Sequence, residues 1–137
     1  MNYLKYFEGR EEVWNVNRDD IKETFSDFID DFQIIVTFGK KLHQFNVLDT
    51  KVTNQDIKLG FKPYIQVRLT SLDKTSPYQL SQYINSDDFL ERQSEIVSRL
   101  DYYDLELVKV YVEVNSIIFL IYTKNSKLYT NLWIPFQ

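Results

Sequence analysis

The chain has 137 residues, of which 44% are hydrophobic and 16% aromatic, with a net charge of -4 and no cysteine. That length suits one domain with its own core, and the missing cysteine excludes disulfides, thiol nucleophiles and thiolate metal sites. The longest apolar run, Ile117 to Tyr122, is far short of the roughly 20 residues that span a bilayer, and no apolar leader segment opens the chain, so the expectation is a soluble protein that is not secreted.

Residues 1–16 carry Tyr3, Leu4, Tyr6, Phe7 and Trp14 among charges, with Gly9 as a break. So many aromatics are unlike a disordered tail. The segment reads as an aromatic N-terminal arm that docks on its own domain or on a neighbour. Residues 17–137 read as a single domain. Asn17 to Phe32 has the clearest helical pattern. Asn17 is the cap, Asp20 completes a capping box, and Ile21, Phe25, Phe28, Ile29 and Phe32 form one apolar stripe. Acidic Asp20, Glu23, Asp27, Asp30 and Asp31 occupy the other side.

Gln33 to Phe38 reads as a strand ended by Gly39. Leu42 to Lys58 has little pattern: Phe45, Val47 and Val52 suggest a weak strand, and Asn54-Gln55-Asp56 a turn. Phe61 to Thr70 alternates as a second strand, with Ile65, Val67 and Leu69 on one side. Ser76-Pro77-Tyr78-Gln79 starts a short helix. The Asn85–Asp88 stretch then caps a longer one, from about Asp87 to Leu100, whose apolar face is Phe89, Leu90, Ile96, Val97 and Leu100.

Leu105 to Thr123 reads as a β-hairpin turning at Asn115-Ser116. That turn pairs Val114 with Ile117, Val112 with Phe119 and Val110 with Ile121 on a core face. The other face then holds Tyr111, Ile118, Leu120 and Tyr122, too apolar to stand bare in water. Leu128 to Phe136 reads as a last strand, limited by Pro135. The element order implies an α+β fold: an antiparallel sheet of four or five strands, the C-terminal hairpin central, with two main helices on one face.

No catalytic motif accompanies these elements. His43 is the one histidine, which excludes a histidine-rich metal site within one chain, and it lacks the nucleophile elbow of a hydrolase triad. Asp27 and Asp31 stand one helical turn apart and could hold a hard cation, but a solvated helix face explains them better. Neither a cofactor nor a metal is expected. Charge is segregated: residues 1–32 carry nine acidic against four basic side chains, and residues 33–75 carry seven basic against three acidic. The simpler reading is acidic helices beside a basic strand region; the sharper one is an anion-binding patch of Lys40, Lys41, Lys58, Lys62 and Arg68.

The helix and its continuation, DDIKETFSDFIDDFQIIVTF, preceded by the aromatic NYLKYFE, resemble small uncharacterised proteins encoded by tailed bacteriophages. The resemblance covers about the first 40 residues and the element order. It implies a phage accessory or virion protein, in the host cytoplasm or the particle, and transfers no functional residue. The expected function is therefore non-enzymatic and works through protein contacts, in a homo-oligomer or a larger assembly. Candidate contact residues are Tyr3, Phe7, Trp14, Tyr111, Ile118, Leu120 and Tyr122. The alternative is an accessory protein that binds a host factor or a nucleic acid through the basic 40–68 region. A membrane partner is not expected.

Overall fold

Asn17 caps the first helix as its spacing predicts. In the computed structural model, which describes residues 13–73 and 75–124, the Asp20 N–H donates to Asn17 Oδ1 at 2.8 Å and the Asn17 N–H to Asp20 Oδ2 at 3.1 Å. This reciprocal box opens α1, Arg18–Thr24. The helix stops well short of the expected Phe32. A 3-10 turn covers Ser26–Phe28, and β1 begins at Phe32. The break has a tertiary cause: Arg99 donates to the Thr24 carbonyl at 3.0 Å and Arg92 to the Asp27 carbonyl at 2.8 Å. Guanidinium groups far along the chain thus satisfy carbonyls that end the helix. The tighter turn buries Phe28 completely and turns Ile29 outward, 63% exposed, so Ile29 leaves the expected stripe.

β1 spans Phe32–Leu42 and runs through Gly39 rather than ending there. Glycine is required at this strand position because Tyr64 lies across it. A Cβ would sit 2.9 Å from both Tyr64 Cζ and the Val47 carbonyl oxygen. β2 is Phe45–Leu48. The stretch expected as a turn is a short helix, α2, Asn54–Lys58. It starts on a second reciprocal box, with the Thr53 N–H on Asp56 Oδ2 at 2.9 Å and the Asp56 N–H on Thr53 Oγ1 at 3.2 Å. β3 is Lys62–Ser71. α3, Pro77–Tyr83, opens on the expected Ser76–Gln79 box with proline in its first turn, and Ser86 caps α4, Asp87–Tyr102.

The last two described strands are β4, Leu105–Glu113, and β5, Ser116–Thr123. The five strands form one antiparallel sheet in the order β2-β1-β3-β5-β4, which with the helices gives the expected α+β architecture. The hairpin is not its centre. β3 holds that place, and β4 is the outermost strand on its side among the described residues. The hairpin register also differs by two residues: Val112 faces Ile117 and Val110 faces Phe119. The turn is Val114-Asn115, because β3 holds Asn115 and Ser116 in place. The Ser71 N–H donates to the Asn115 carbonyl at 3.0 Å, and Thr70 Oγ1 lies 3.1 Å from Ser116 Oγ. Val114 accepts a φ of 54°, a strained value for a β-branched residue. A two-residue shift leaves side chains on their expected faces. Val114 and Val108 are the exceptions: Val114, expected on the core face, lies in the turn and is 71% exposed, and Val108 is the extra residue of a β-bulge between Leu107 and Lys109 and is 50% exposed.

Alternate strand residues join the helices in one core. Phe119 sits at its middle, with ring centres of Phe25, Phe89 and Phe28 at 4.9, 6.0 and 6.4 Å. Ile96 and Leu100 of α4 and Leu80 of α3 belong to the same buried cluster. Leu90 and Val97, expected on the apolar face of α4, stay 47% and 44% exposed. No helix among the described residues is long and apolar enough to cross a membrane. Tyr3, Phe7 and the strand expected over 128–136 lie outside the described residues.

Candidate interaction surface

The side of the sheet away from the helix-packed core is built by strand alternation. Three rows of facing residues cross it. One runs Leu48, Gly39, Tyr64; the next Thr37, Gln66, Leu120, Lys109; the third Ile35, Arg68, Ile118, Tyr111. Tyr122 stands beside the first row, its ring centre 6.2 Å from that of Tyr64 and edge-on to it. Lys41 and Lys62 face each other directly at the end of the β1–β3 pair.

This outer face is neither bare nor sealed. Ile118 is wholly buried and Tyr64 is 5% exposed, while Tyr111, Leu120 and Tyr122 are half-buried. Lysine chains supply part of the cover: Lys62 Nζ lies 4.2 Å from the Tyr122 ring centre and Lys109 Nζ 5.0 Å from that of Tyr111. Each lysine sets its ammonium over the face of a ring, a cation–π contact. Burial, then the neighbouring Tyr122 and Tyr111 phenols, pushes the Tyr64 hydroxyl above the ordinary tyrosine value. Leu48, Tyr64, Tyr111, Leu120 and Tyr122, with Lys41, Asn46 and Gln66, line a shallow hollow of about 150 Å³. Lys41 and Tyr122 also line a larger groove, about 680 Å³, completed by Leu42, His43, Leu59, Gly60 and Lys62.

The sequence candidates sort into two groups. Tyr111, Ile118, Leu120 and Tyr122 share the outer face with Lys41, Lys62 and Arg68, so four of the seven contact candidates and three of the five basic ones meet on one surface. Three residues fall elsewhere. Trp14 packs on the core side, its ring centre 5.6 Å from Phe38. Lys40 alternates away from Lys41 and pairs with Asp56 at 3.0 Å. Lys58 is exposed in the last turn of α2. Around Lys40 the carboxyl is tuned: burial alone would raise the Asp56 pKa, but the Thr53 N–H, the Lys40 ammonium and the Thr53 hydroxyl outweigh it and hold it below the ordinary aspartate value. Arg68 is partly engaged too, 3.7 Å from Glu113.

Sequence reading missed Leu48, Tyr64 and Gln66 as members of this surface. The alternation of Lys62, Tyr64, Gln66 and Arg68 against Ile65, Val67 and Leu69 was the available signal. Among the described residues no three histidine or carboxylate side chains come together as metal ligands, and Asp27 is 3.2 Å from Arg99. Comparison with protein-family models, curated proteins and solved structures returns no significant match.

Proposed function

We propose that the chain is a non-enzymatic contact protein, a structural or assembly component of a bacteriophage, that works through the outer face of its sheet. The observation that carries this reading is the grouping of Tyr64, Tyr111, Leu120 and Tyr122 around one hollow. Tyrosine has few rotatable bonds and a large apolar ring with a polar tip, so it contributes contact area at little entropic cost. The phage setting rests on the resemblance of the N-terminal segment, and the partner is a second copy or another protein of the same assembly, in the host cytoplasm or the virion. Light scattering over a wide concentration range tests it. The expected mass exceeds that of one 16.5 kDa chain; a strict monomer at every concentration counts against it.

One observation favours a second reading, a nucleic-acid-binding accessory protein: Lys41, Lys62 and Arg68 share this face with the tyrosines. It predicts a salt-dependent gel shift that is lost when all three are changed to glutamate. No shift at low salt ends it.

A further inference from the structure

Among the described residues, the two ends of the β1–β3 pair carry unbalanced charge of opposite sign. The pair runs from Phe32 facing Ser71 to Lys41 facing Lys62. At the first end Asp30 and Asp31 precede β1 and Asp73 follows β3, all exposed. Ile29 and Leu72, in the same two segments, are 63% and 62% exposed. The Leu72 N–H donates to the Asp31 carbonyl at 3.0 Å, which ties both segments into one acidic and apolar knob. At the second end Lys41, Lys62 and His43 line the 680 Å³ groove with Leu42 and Leu59, and Leu59 is 63% exposed. Among the described residues no carboxylate lines that groove. None of Asp30, Asp31, Asp73, Lys41 and Lys62 has an ion pair among the described residues.

Facing lysines repel each other and cost stability, and exposed apolar side chains grouped with unpaired charge mark a contact surface. A strand rise of about 3.3 Å per residue puts the two ends roughly 30 Å apart. One copy therefore does not join its own knob to its own groove.

We propose that the groove receives the knob of a second copy. The Asp30 and Asp31 carboxylates enter between the Lys41 and Lys62 ammonium groups, and Ile29 and Leu72 meet Leu42 and Leu59. This rests on the reading of the chain as a contact protein and names the chain itself as partner. The contact is heterologous: every copy keeps one free knob and one free groove, so copies add head to tail into a ring or a filament. A nucleic acid suits the groove less well, because Lys62 already lies over the Tyr122 ring that would stack a base and the chain is acidic overall.

Two variants test it by light scattering at low salt. Lys41→Gln with Lys62→Gln disables the groove; Asp30→Asn with Asp31→Asn disables the knob, and neither change creates a reversed charge that could pair in the mixture. All four side chains are exposed, so both variants are expected to melt near the wild type. Wild type gains mass with concentration and sheds it near 1 M salt, where charge interactions reach only about 3 Å. Each variant alone has the mass of one chain, and their equimolar mixture has the mass of two, since one working knob meets one working groove. A mixture that stays at one chain overturns the proposal, as does a variant that grows like the wild type. Wild-type association that both variants retain overturns the head-to-tail contact and leaves association to the outer sheet face, whereas a wild type that never exceeds one chain overturns both readings.

Discussion

On the helix side of the sheet, Phe119 is surrounded by three other rings and has no exposed surface. On the outer side, Tyr111 and Tyr122 are half-buried, with lysine ammonium groups over their rings. Both faces belong to the same strands, and Phe119 sits between Ile118 and Leu120. The difference lies in what can leave. A ring held by other buried rings is fixed by packing that no partner can replace. A ring covered by a lysine ammonium is held by a flexible side chain that moves aside at little cost, about 1 kcal/mol for an exposed cation–π pair. The first face sets stability; the second is poised for contact.

Substitutions that separate the faces test this contrast. The largest effect is expected for Phe119→Ala, which removes a fully buried ring from the core. Loss of about 3–5 kcal/mol in chemical denaturation is expected, from lost burial plus an unfilled cavity. Gly39→Ala comes next, because it acts through the outer face. The new methyl meets Tyr64 Cζ and the Val47 carbonyl at 2.9 Å, and β1, β2 and the tyrosine must shift. A loss of about 1–3 kcal/mol is expected, with a change in tyrosine fluorescence that Phe119→Ala need not produce. Smaller still is Asp56→Asn, expected to cost about 1–2 kcal/mol by weakening the α2 cap and leaving Lys40 unpaired. Its signature is in pH. The folded Asp56 carboxyl sits below its ordinary value, so its contribution is complete above the usual aspartate range and is lost as pH falls through the depressed folded value. The wild type therefore loses that contribution in acid, and Asp56→Asn flattens this part of the pH profile.

Local chemistry was legible where neighbours in sequence are also partners in space. The Asn17–Asp20 and Ser76–Gln79 boxes lie within one turn, and both helices start where those residues stand. The alternation of Ile65, Val67 and Leu69 identified the buried side of what proved to be the central strand. The same box chemistry at Thr53–Asp56 passed unread because α2 is too short to carry a stripe. Other differences come from residues distant in sequence. α1 ends at Thr24 because Arg99 holds its carbonyl. The hairpin turns at Val114-Asn115 because Ser71 and Thr70 of β3 hold Asn115 and Ser116. The outer surface was half legible: Tyr111, Ile118, Leu120 and Tyr122 were grouped by hairpin alternation alone. That Lys41, Lys62, Arg68 and Tyr64 join them depends on β3 lying between β1 and β5, and nothing local in the chain encodes that neighbour.

Contact and folding separate most cleanly where the outer face meets the groove. Tyr122 lines both the hollow and the groove, and Lys62 lies over its ring. Tyr122→Glu combined with Lys62→Glu, followed by light scattering and by thermal melting of the same sample, decides between the two roles. A marked fall in associated mass is expected, with only a small change in melting temperature, far less than Phe119→Ala produces. Unchanged mass with a collapse in melting would instead make the outer face a second structural core.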